Sequence, residues 1–400
     1  MTIRLYYDDS YLKEFTAVVL AASDKGGKPA VVLDRTAFYP TSGGQPHDTG
    51  MLGSAHVLNV EETPSGEIVH VLDSPLQPGP VSGRVDWERR FDHMQQHTGQ
   101  HILSQAFILA AQAPTVSFHL GQETSTIDID LPEPSPPVLD KAEHLATSIV
   151  FENRPVHILK VDRARLSELG VRKESQREGE IRVIDVEGFD RSPCGGTHVC
   201  RTGEIGLIAL LGFERYKGGT RVEFVCGGRA LRVFRTEHGI LRELGKLCSS
   251  HLTELPRVTD RLLQDRSALA RENTRLQERM LEMEAQELLD RADMIKGVKI
   301  VRRSYTDRGL DTLKVLAQKT TSLAKAVAIL GVAQETAQVA VAKSRDIPGD
   351  CGQAVKTITA RFGGKGGGRP ETAQAGGIGS ADLEKWMEAL EAHFRSCLDG

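Results

Sequence analysis

Two pairs of residues in this 400-residue chain have the types and spacing to hold a metal ion: His97 and His101 in His-Thr-Gly-Gln-His, and Cys194 and His198 in Cys-Gly-Gly-Thr-His. On a helix, residues four apart share one face with Cβ atoms ~5–6 Å apart, so two imidazoles at that spacing can reach one cation. A Cys-x3-His run can fold its ends towards a common centre when glycines such as Gly195 and Gly196 permit the tight path. Three nitrogens and one thiolate are borderline-soft donors suited to zinc, one Zn2+ per chain. Either pair alone is weak evidence, and the two together in one domain predict a site.

Competing ligands are weaker. His93 lies four residues before His97, but a helix starting near residue 91 puts it in the first turn, and Cys194 and His198 already complete a tetrahedron. Cys200 is only two residues from His198. The glutamate of a His-Glu-x-x-His protease is absent, because Thr98, Gly99 and Gln100 stand between the histidines. Four protein ligands close a structural zinc site, whereas a catalytic site normally keeps one position for water or substrate. Ligand count therefore leaves a purely structural metal open. An open site is favoured by Gly99, which costs a helix about 1 kcal/mol relative to Ala and lets something approach, and by the uncommitted polar residues Thr98, Gln100 and Thr197.

The elements that must position these residues are legible as texture. From 1 to about 90, short apolar runs (17–20, 30–33, 68–72) alternate with Gly, Pro, Asn and Asp, which predicts a small barrel or curled sheet. A helix follows at 91–110, with Asp92 and Gln95 resembling a capping box and Ile102, Leu103, Ala106, Phe107 and Ala110 forming a core-facing stripe. A strand at 126–131, a helix near 139–153 and strands at 156–161, 181–186, 205–210 and 220–226 predict a two-layer α/β zinc domain. Residues 251–295 contain no Gly or Pro after Pro256, and Leu262, Leu269, Leu276 and Met283 fall seven apart with Asn273 in a neighbouring seam. That pattern fits an intramolecular helical hairpin or a dimer zipper. A final α/β region carries the apolar strand 337–342, a glycine cluster and an amphipathic helix from Ala381 to Cys397. The expected class is α+β with four parts: a barrel (1–90), the zinc domain (91–245), a helical or coiled-coil spacer (246–295) and a glycine-rich C-terminal α/β domain (296–400).

Composition bounds the function. With 40% hydrophobic and 26% charged residues and a net charge of −4, the chain is expected to be globular, soluble and cytoplasmic, with no membrane segment and no export signal. Six sparse cysteines exclude a disulfide scaffold. Residues 296–400 hold 16 Lys+Arg against 11 Asp+Glu, a net of +5, leaving −9 on the rest, so a polyanion would be gripped at the C-terminal end. In the glycine cluster, Gly363, Gly364, Gly366, Gly367 and Gly368 flank Lys365, with Arg369 next to them. Such a segment can bring backbone N–H groups and two cations to phosphates, and otherwise reads as a linker.

These motifs together resemble a known family. His97-Thr-Gly-Gln-His101 with Cys194-Gly-Gly-Thr-His198 resembles the zinc motif of the editing domain of alanyl-tRNA synthetases and of the free-standing AlaX alanyl-tRNA editing proteins. Phe38–Pro46 and Asp48–Gly50 resemble the glycine-rich barrel segment before that domain, and 203–206 and 221–231 the strands after it. Residues 363–377 resemble the synthetase's C-terminal glycine-rich module, so coverage is nearly complete, in family order, and fits the long AlaX form. No class II activation domain stands before the barrel, so the resemblance implies a zinc hydrolase acting in trans on tRNA(Ala) mischarged with serine, with glycine as a second candidate. An alanine pocket rejects neither glycine nor serine strongly, which is why such a correcting site is needed. The resemblance aligns Thr115 with the family's serine-sensing threonine, with Ser117 a near neighbour, and assigns the cluster at 363–369 to tRNA. Thr98 and Gln100 complete the candidate catalytic set. Rival readings are a non-catalytic RNA-binding protein braced by zinc and a phosphoesterase. A homodimer through the helical or C-terminal region stays open.

Overall fold

The computed structural model describes residues 2–173 and 179–399. Two compact units divide the chain, Met1–Lys246 and Leu247–Gly400. Among the described residues no helix is long and apolar enough to cross a membrane. The α+β class expected from the sequence is the class observed.

The first unit opens with a closed six-stranded barrel in the order Glu14–Lys25, Lys28–Leu33, Ile68–Leu72, Ala55–Glu62, Gly50–Leu52, Gly79–Val85. Burial alternates along Glu14–Val19, as a strand with one face inward requires. Phe15, Val19, Leu33, Phe38, Leu52, Val57, Ile68 and Leu72 fill the interior. An excursion between Thr36 and Gly50 leaves the barrel, turns tightly where Ser42 and Gln45 exchange backbone bonds of 3.1 and 2.9 Å, and points Gln45 out of it. Gly43 and Gly44 take φ of 53° and 83° there, a region a side chain enters only at a cost. Arg90 ties this excursion to the next helix: its Nε lies 3.0 Å from both Asp48 oxygens and its Nη1 donates to Ser10 O at 2.9 Å. Both side chains are fully buried, so removing either partner leaves an uncompensated charge at roughly 3–5 kcal/mol.

The helix that carries His97 and His101 spans Trp87–Ala111. It begins earlier than the sequence pattern suggested, because Asp86 is the cap, accepting from Arg89 N. Asp92 instead binds Arg229, whose Nε lies 3.0 Å from its carboxylate. Ile102, Leu103, Ala106 and Phe107 are fully buried against the helix Pro136–Phe151 and an antiparallel sheet in the order Ile208–Tyr216, Gly219–Cys226, Ser125–Ile129, Thr115–Leu120. A second antiparallel sheet joins Val156–Val161, Ile181–Val186 and Asp190–Pro193. The strand expected at 205–210 begins at Ile208, because Thr202–Ile205 form a 3-10 turn ended by Gly206 at φ 81°.

In the second unit Leu255–Asp290 is one continuous helix of 36 residues, so of the two alternatives for 251–295 a hairpin within that stretch does not form. Nothing inside the run breaks it. Leu262, Leu269, Leu276 and Met283 are exposed at 50% or more, while Ala285 and Leu289 are buried against the C-terminal core. A six-stranded sheet follows in the order Asp293–Ile295, Val298–Tyr305, Ala326–Ala333, Ala337–Lys343, Thr372–Ile378, Lys365–Gly368. Both faces are covered, one by Leu310–Leu323 and the other by Cys351–Arg361 and Leu383–Asp399. Seven consecutive residues from Ala326 to Val332 are accordingly buried.

Candidate metal centre

His97, His101, Cys194 and His198 come together: one ligand atom from each lies within 4.8 Å of the others. His97 Nε2 is 3.4 Å and His198 Nε2 3.3 Å from Cys194 Sγ. With metal–nitrogen bonds of about 2.0–2.1 Å and a metal–sulfur bond of about 2.3 Å, the edges of a tetrahedral zinc site are about 3.5 Å, so these contacts fit.

The far nitrogen of every imidazole is occupied. His97 Nδ1 donates to Gln45 Oε1 at 2.8 Å, His101 Nδ1 meets Asp190 Oδ2 at 3.3 Å, and His198 Nδ1 pairs with Thr98 Oγ1 at 3.2 Å. Partners at Nδ1 fix the ring orientation and leave Nε2 for the cation. Asp190 is anchored by Arg172, whose Nε is 2.8 Å from Oδ1. Burial pushes the Asp190 carboxyl up, and the His101 bond and the Arg172 charge outweigh it and hold it below the usual carboxylate range. For Cys194 burial works the same way, and the imidazoles of His97 and His198 drive the thiol well below its ordinary value. Burial also holds His198 well below the usual imidazole value. His101 runs the other way: burial would lower it, but the bonds to Asp190 and Cys194 raise it. A zinc ion binds the deprotonated thiol and the neutral imidazole, so its binding would displace the protons these groups otherwise share.

Local sequence explains the loop. A Cβ at Gly196 would sit 2.1 Å from His97 Cε1 and 2.8 Å from Gln45 Oε1, so only glycine lets the loop lie against the histidine. Gly99 has a different role from the one its position suggested: a Cβ there would meet Cys226 Sγ at 2.3 Å, so the space is filled by the sheet and not left for a substrate. Thr98 and Thr197 are committed too, Thr98 to His198 and Val199 N, Thr197 to Gln45 Nε2 at 2.9 Å.

Thr115 and Ser117 are separated by register. The strand Thr115–Leu120 pairs Thr115 with Ile129 and Ser117 with Asp128, so Val116 is an extra residue, a bulge. Thr115 consequently faces the ligand helix and its Oγ1 donates to Ser104 Oγ at 2.7 Å. Ser117 turns with Asp128 to the other face, where Asp128 also takes Arg221 Nε at 2.7 Å. Gln100 joins the Thr115 side: its Nε2 donates to Ser104 Oγ at 2.7 Å, and its Oε1 is buried with no partner among the described residues. His93 stands two turns into the helix, buried and pushed down to about 3 by its burial, outside the ligand group. Cys200 also lies outside the group, exposed, its N–H bound by Tyr11.

The glycine cluster is mostly a packing device. Lys365–Gly368 form an edge strand, and a Cβ would meet Ala375 at 2.2 Å from Gly366, Ile378 at 2.6 Å from Gly364 and Thr372 O at 2.3 Å from Gly368. Gly363 and Gly367 have open space, and Lys365 and Arg369 are exposed.

Gln45, Asp190 and Arg182 are functional residues that no ligand motif marks, although the Gly43-Gly44-Gln45 turn signals a side chain presented at a fixed angle.

Three family models match parts of the chain. Residues 181–223, which contain Cys194 and His198, match the threonyl and alanyl tRNA synthetase second additional domain. Residues 10–89 match the class II (A) tRNA synthetases, and residues 307–396 the DHHA1 domain. The chain is 31% identical over 412 residues to the alanyl-tRNA editing protein AlaX-L of Pyrococcus horikoshii, covering 98% of each chain. It is 33% identical over 405 residues to the alanine–tRNA ligase of Pyrococcus furiosus, covering 98% of this chain but 43% of that enzyme. With the alanyl-tRNA editing protein Aarsd1 of Mus musculus it shares 35% identity over 257 residues, 60% of this chain and 62% of that protein. The chain thus spans less than half the length of the alanine–tRNA ligases it matches.

Proposed function

The chain belongs to the alanyl-tRNA editing proteins of the AlaX-L kind, and from that premise we propose that it is a zinc-dependent deacylase that clears serine, and glycine as a second substrate, from mischarged tRNA(Ala). The reaction adds water across the ester between the amino acid and the terminal ribose, giving free amino acid and a tRNA hydroxyl. One observation carries the reading: three imidazoles and a cysteine sulfur converge with every Nδ1 occupied. A zinc ion held by His97, His101, Cys194 and His198 would polarise the ester, lower the pKa of water, or orient the substrate.

The chain's own residues supply selectivity. Thr115, Ser104 and Gln100 form one hydrogen-bonded group beside the ligand histidines, and the unpaired Gln100 Oε1 is an acceptor suited to a serine hydroxyl. Serine would supply the missing donor and alanine would not, a difference of about 0.5–1.5 kcal/mol for one hydrogen bond. Ser117 is omitted from this set because it lies on the opposite face of its sheet.

The finer organisation follows the four parts 1–90, 91–245, 246–295 and 296–400. Lys365, Gly367 and Arg369 would contact the tRNA backbone, and the exposed heptad face of Leu255–Asp290 would serve a homodimer in the cytoplasm.

Purified protein is to be incubated with Ser-tRNA(Ala) and Ala-tRNA(Ala). Serine should be released far faster than alanine, and equal or absent release overturns the proposal. The rival, a tRNA-binding protein with a bracing zinc, is favoured by closure of the site at four protein ligands. His101→Ala separates the two: the hydrolase reading expects zinc and deacylation to be lost together while tRNA binding survives.

A further inference from the structure

We infer that Arg182 is a positioning residue of the metal centre, holding the Cys-x3-His loop in the curl that brings Cys194 and His198 to one point; this rests on the zinc-hydrolase reading above. The loop follows the short strand Asp190–Pro193 and has no regular structure through Val199. Its backbone must therefore find partners elsewhere. The N–H groups are shared among many acceptors. Gly196 N donates to Cys194 Sγ at 3.4 Å, Thr197 N to Gln45 Oε1 at 3.1 Å, His198 N to Ser10 Oγ at 3.4 Å, Val199 N to Thr98 Oγ1 at 3.2 Å and Cys200 N to Tyr11 Oη at 2.8 Å.

The carbonyl side is different. Arg182 Nη1 donates to both Cys194 O and Gly196 O, each at 2.8 Å. Its Nε donates to Tyr7 O at 3.0 Å, and its own carbonyl accepts from Cys194 N at 3.1 Å. One side chain on the strand Ile181–Val186 thus spans the first three residues of the motif and pins them to the N-terminal segment. The guanidinium is planar and rigid, so it fixes the two carbonyls relative to each other as well as in place. That fixed separation turns the chain so that His198 Nε2 returns to 3.3 Å from Cys194 Sγ. No other described side chain bonds either carbonyl. The N–H side can lose one partner and keep four, whereas the carbonyls of Cys194 and Gly196 rest on Arg182 alone and, among the described residues, the next bonded carbonyl is that of Cys200, which accepts from Val156 N at 2.8 Å.

The test uses the full-length chain as wild type, Arg182→Met and Arg182→Lys. Zinc affinity is read by chelator competition, and ligand geometry from the thiolate-to-metal charge-transfer band and the d–d envelope of the Co2+-loaded protein. Arg182→Met, which keeps the stem and removes both donors, should weaken zinc by about 10- to 100-fold, the range for groups that orient metal ligands, with a weakened or shifted cobalt–thiolate band. Arg182→Lys, a single point donor, should recover part of both. A merely structural arginine would lower thermal stability equally with and without metal and leave the cobalt spectrum unchanged; that result overturns the assignment. Should Arg182→Met fail to fold, Arg182→Lys with wild-type affinity and spectrum overturns it equally. A wild-type chain with no cobalt–thiolate band removes the metal reading itself, and the role of Arg182 with it, whereas a normal wild-type band with an unaltered Arg182→Met removes the role alone.

Discussion

Gly196→Ala tests the geometry of the metal loop most directly. The added Cβ would lie 2.1 Å from His97 Cε1, 2.3 Å from His97 Nδ1 and 2.8 Å from Gln45 Oε1. Unbonded carbons rest at about 3.5–4.0 Å, so the imidazole must retreat by about 1.4 Å. The loop cannot yield instead, because Gly196 O is held by Arg182 and the next N–H by Gln45. Metal–ligand distances tolerate about ±0.2 Å, so a shift of that size takes His97 out of the coordination sphere and breaks its bond to Gln45. Zinc affinity should fall by at least about 100-fold, beyond the range for losing an orienting partner alone, and ester cleavage should fall with it, since a 1 Å misplacement can cost about 100-fold. Overpacking should destabilise the fold by only about 1–3 kcal/mol. Gly195→Ala is the internal control: its Cβ would meet only Tyr7, at 3.5 Å, an ordinary contact. That variant should bind zinc within about twofold of wild type, the usual range for a substitution that strains nothing. Chelator competition and serine release on both variants decide the matter. Wild-type affinity in Gly196→Ala, or equal losses in the two variants, refutes the reasoning.

Three further outcomes are expected. Thr115→Val, which removes the hydroxyl and keeps the shape, should reduce the preference for Ser-tRNA(Ala) over Ala-tRNA(Ala) by about tenfold, the worth of one hydrogen bond, whereas Ser117→Ala should leave it unchanged; the reverse pattern in a deacylation assay would undo the assignment made from the bulge. His70, buried in the barrel with Thr36 Oγ1 2.9 Å away, is pushed down to about 4 by its burial. The unfolded chain takes up that proton at about 6.5, so this contribution is complete above that pH and is lost on acidification towards 4, on the order of 3 kcal/mol. Denaturant unfolding should show a shallower loss in His70→Gln, and parallel pH profiles would contradict it. Reversing Lys365 and Arg369 to Glu should weaken tRNA binding and reduce the slope of log affinity against log salt by about one per lost phosphate contact, with turnover on saturating substrate retained; unchanged affinity would remove the cluster from the interface.

What was legible in the sequence, and what was not, divides by the range of the interactions. The four ligands belong to two motifs of five residues each, governed by helical periodicity and by glycines beside the cysteine, so both could be seen without knowing any tertiary contact. The polar groups that orient the imidazoles could not. Gln45 is 52 residues from His97, Asp190 is 89 from His101 and Thr98 is 100 from His198. The same limit decides between Thr115 and Ser117: alternation alone puts them on one face, and only the pairing of their strand with Ser125–Ile129 introduces the extra residue that parts them. An empty glycine position and a tightly filled one have the same letter, so only the neighbours distinguish them: Cys226 fills the space at Gly99, and Ala375, Ile378 and Thr372 fill it at Gly366, Gly364 and Gly368, while Gly363 and Gly367 stay open. The spine of Leu262, Leu269, Leu276 and Met283 was correctly helical, but its periodicity could not say what covers it. The consequence for function is that the ligands lie within one part of the first unit while one of the acceptors that holds them, Gln45, comes from the barrel excursion. That excursion is docked by the buried Arg90–Asp48 pair, so loosening the barrel dock should be felt at the metal, through Gln45 and His97, as well as in the fold.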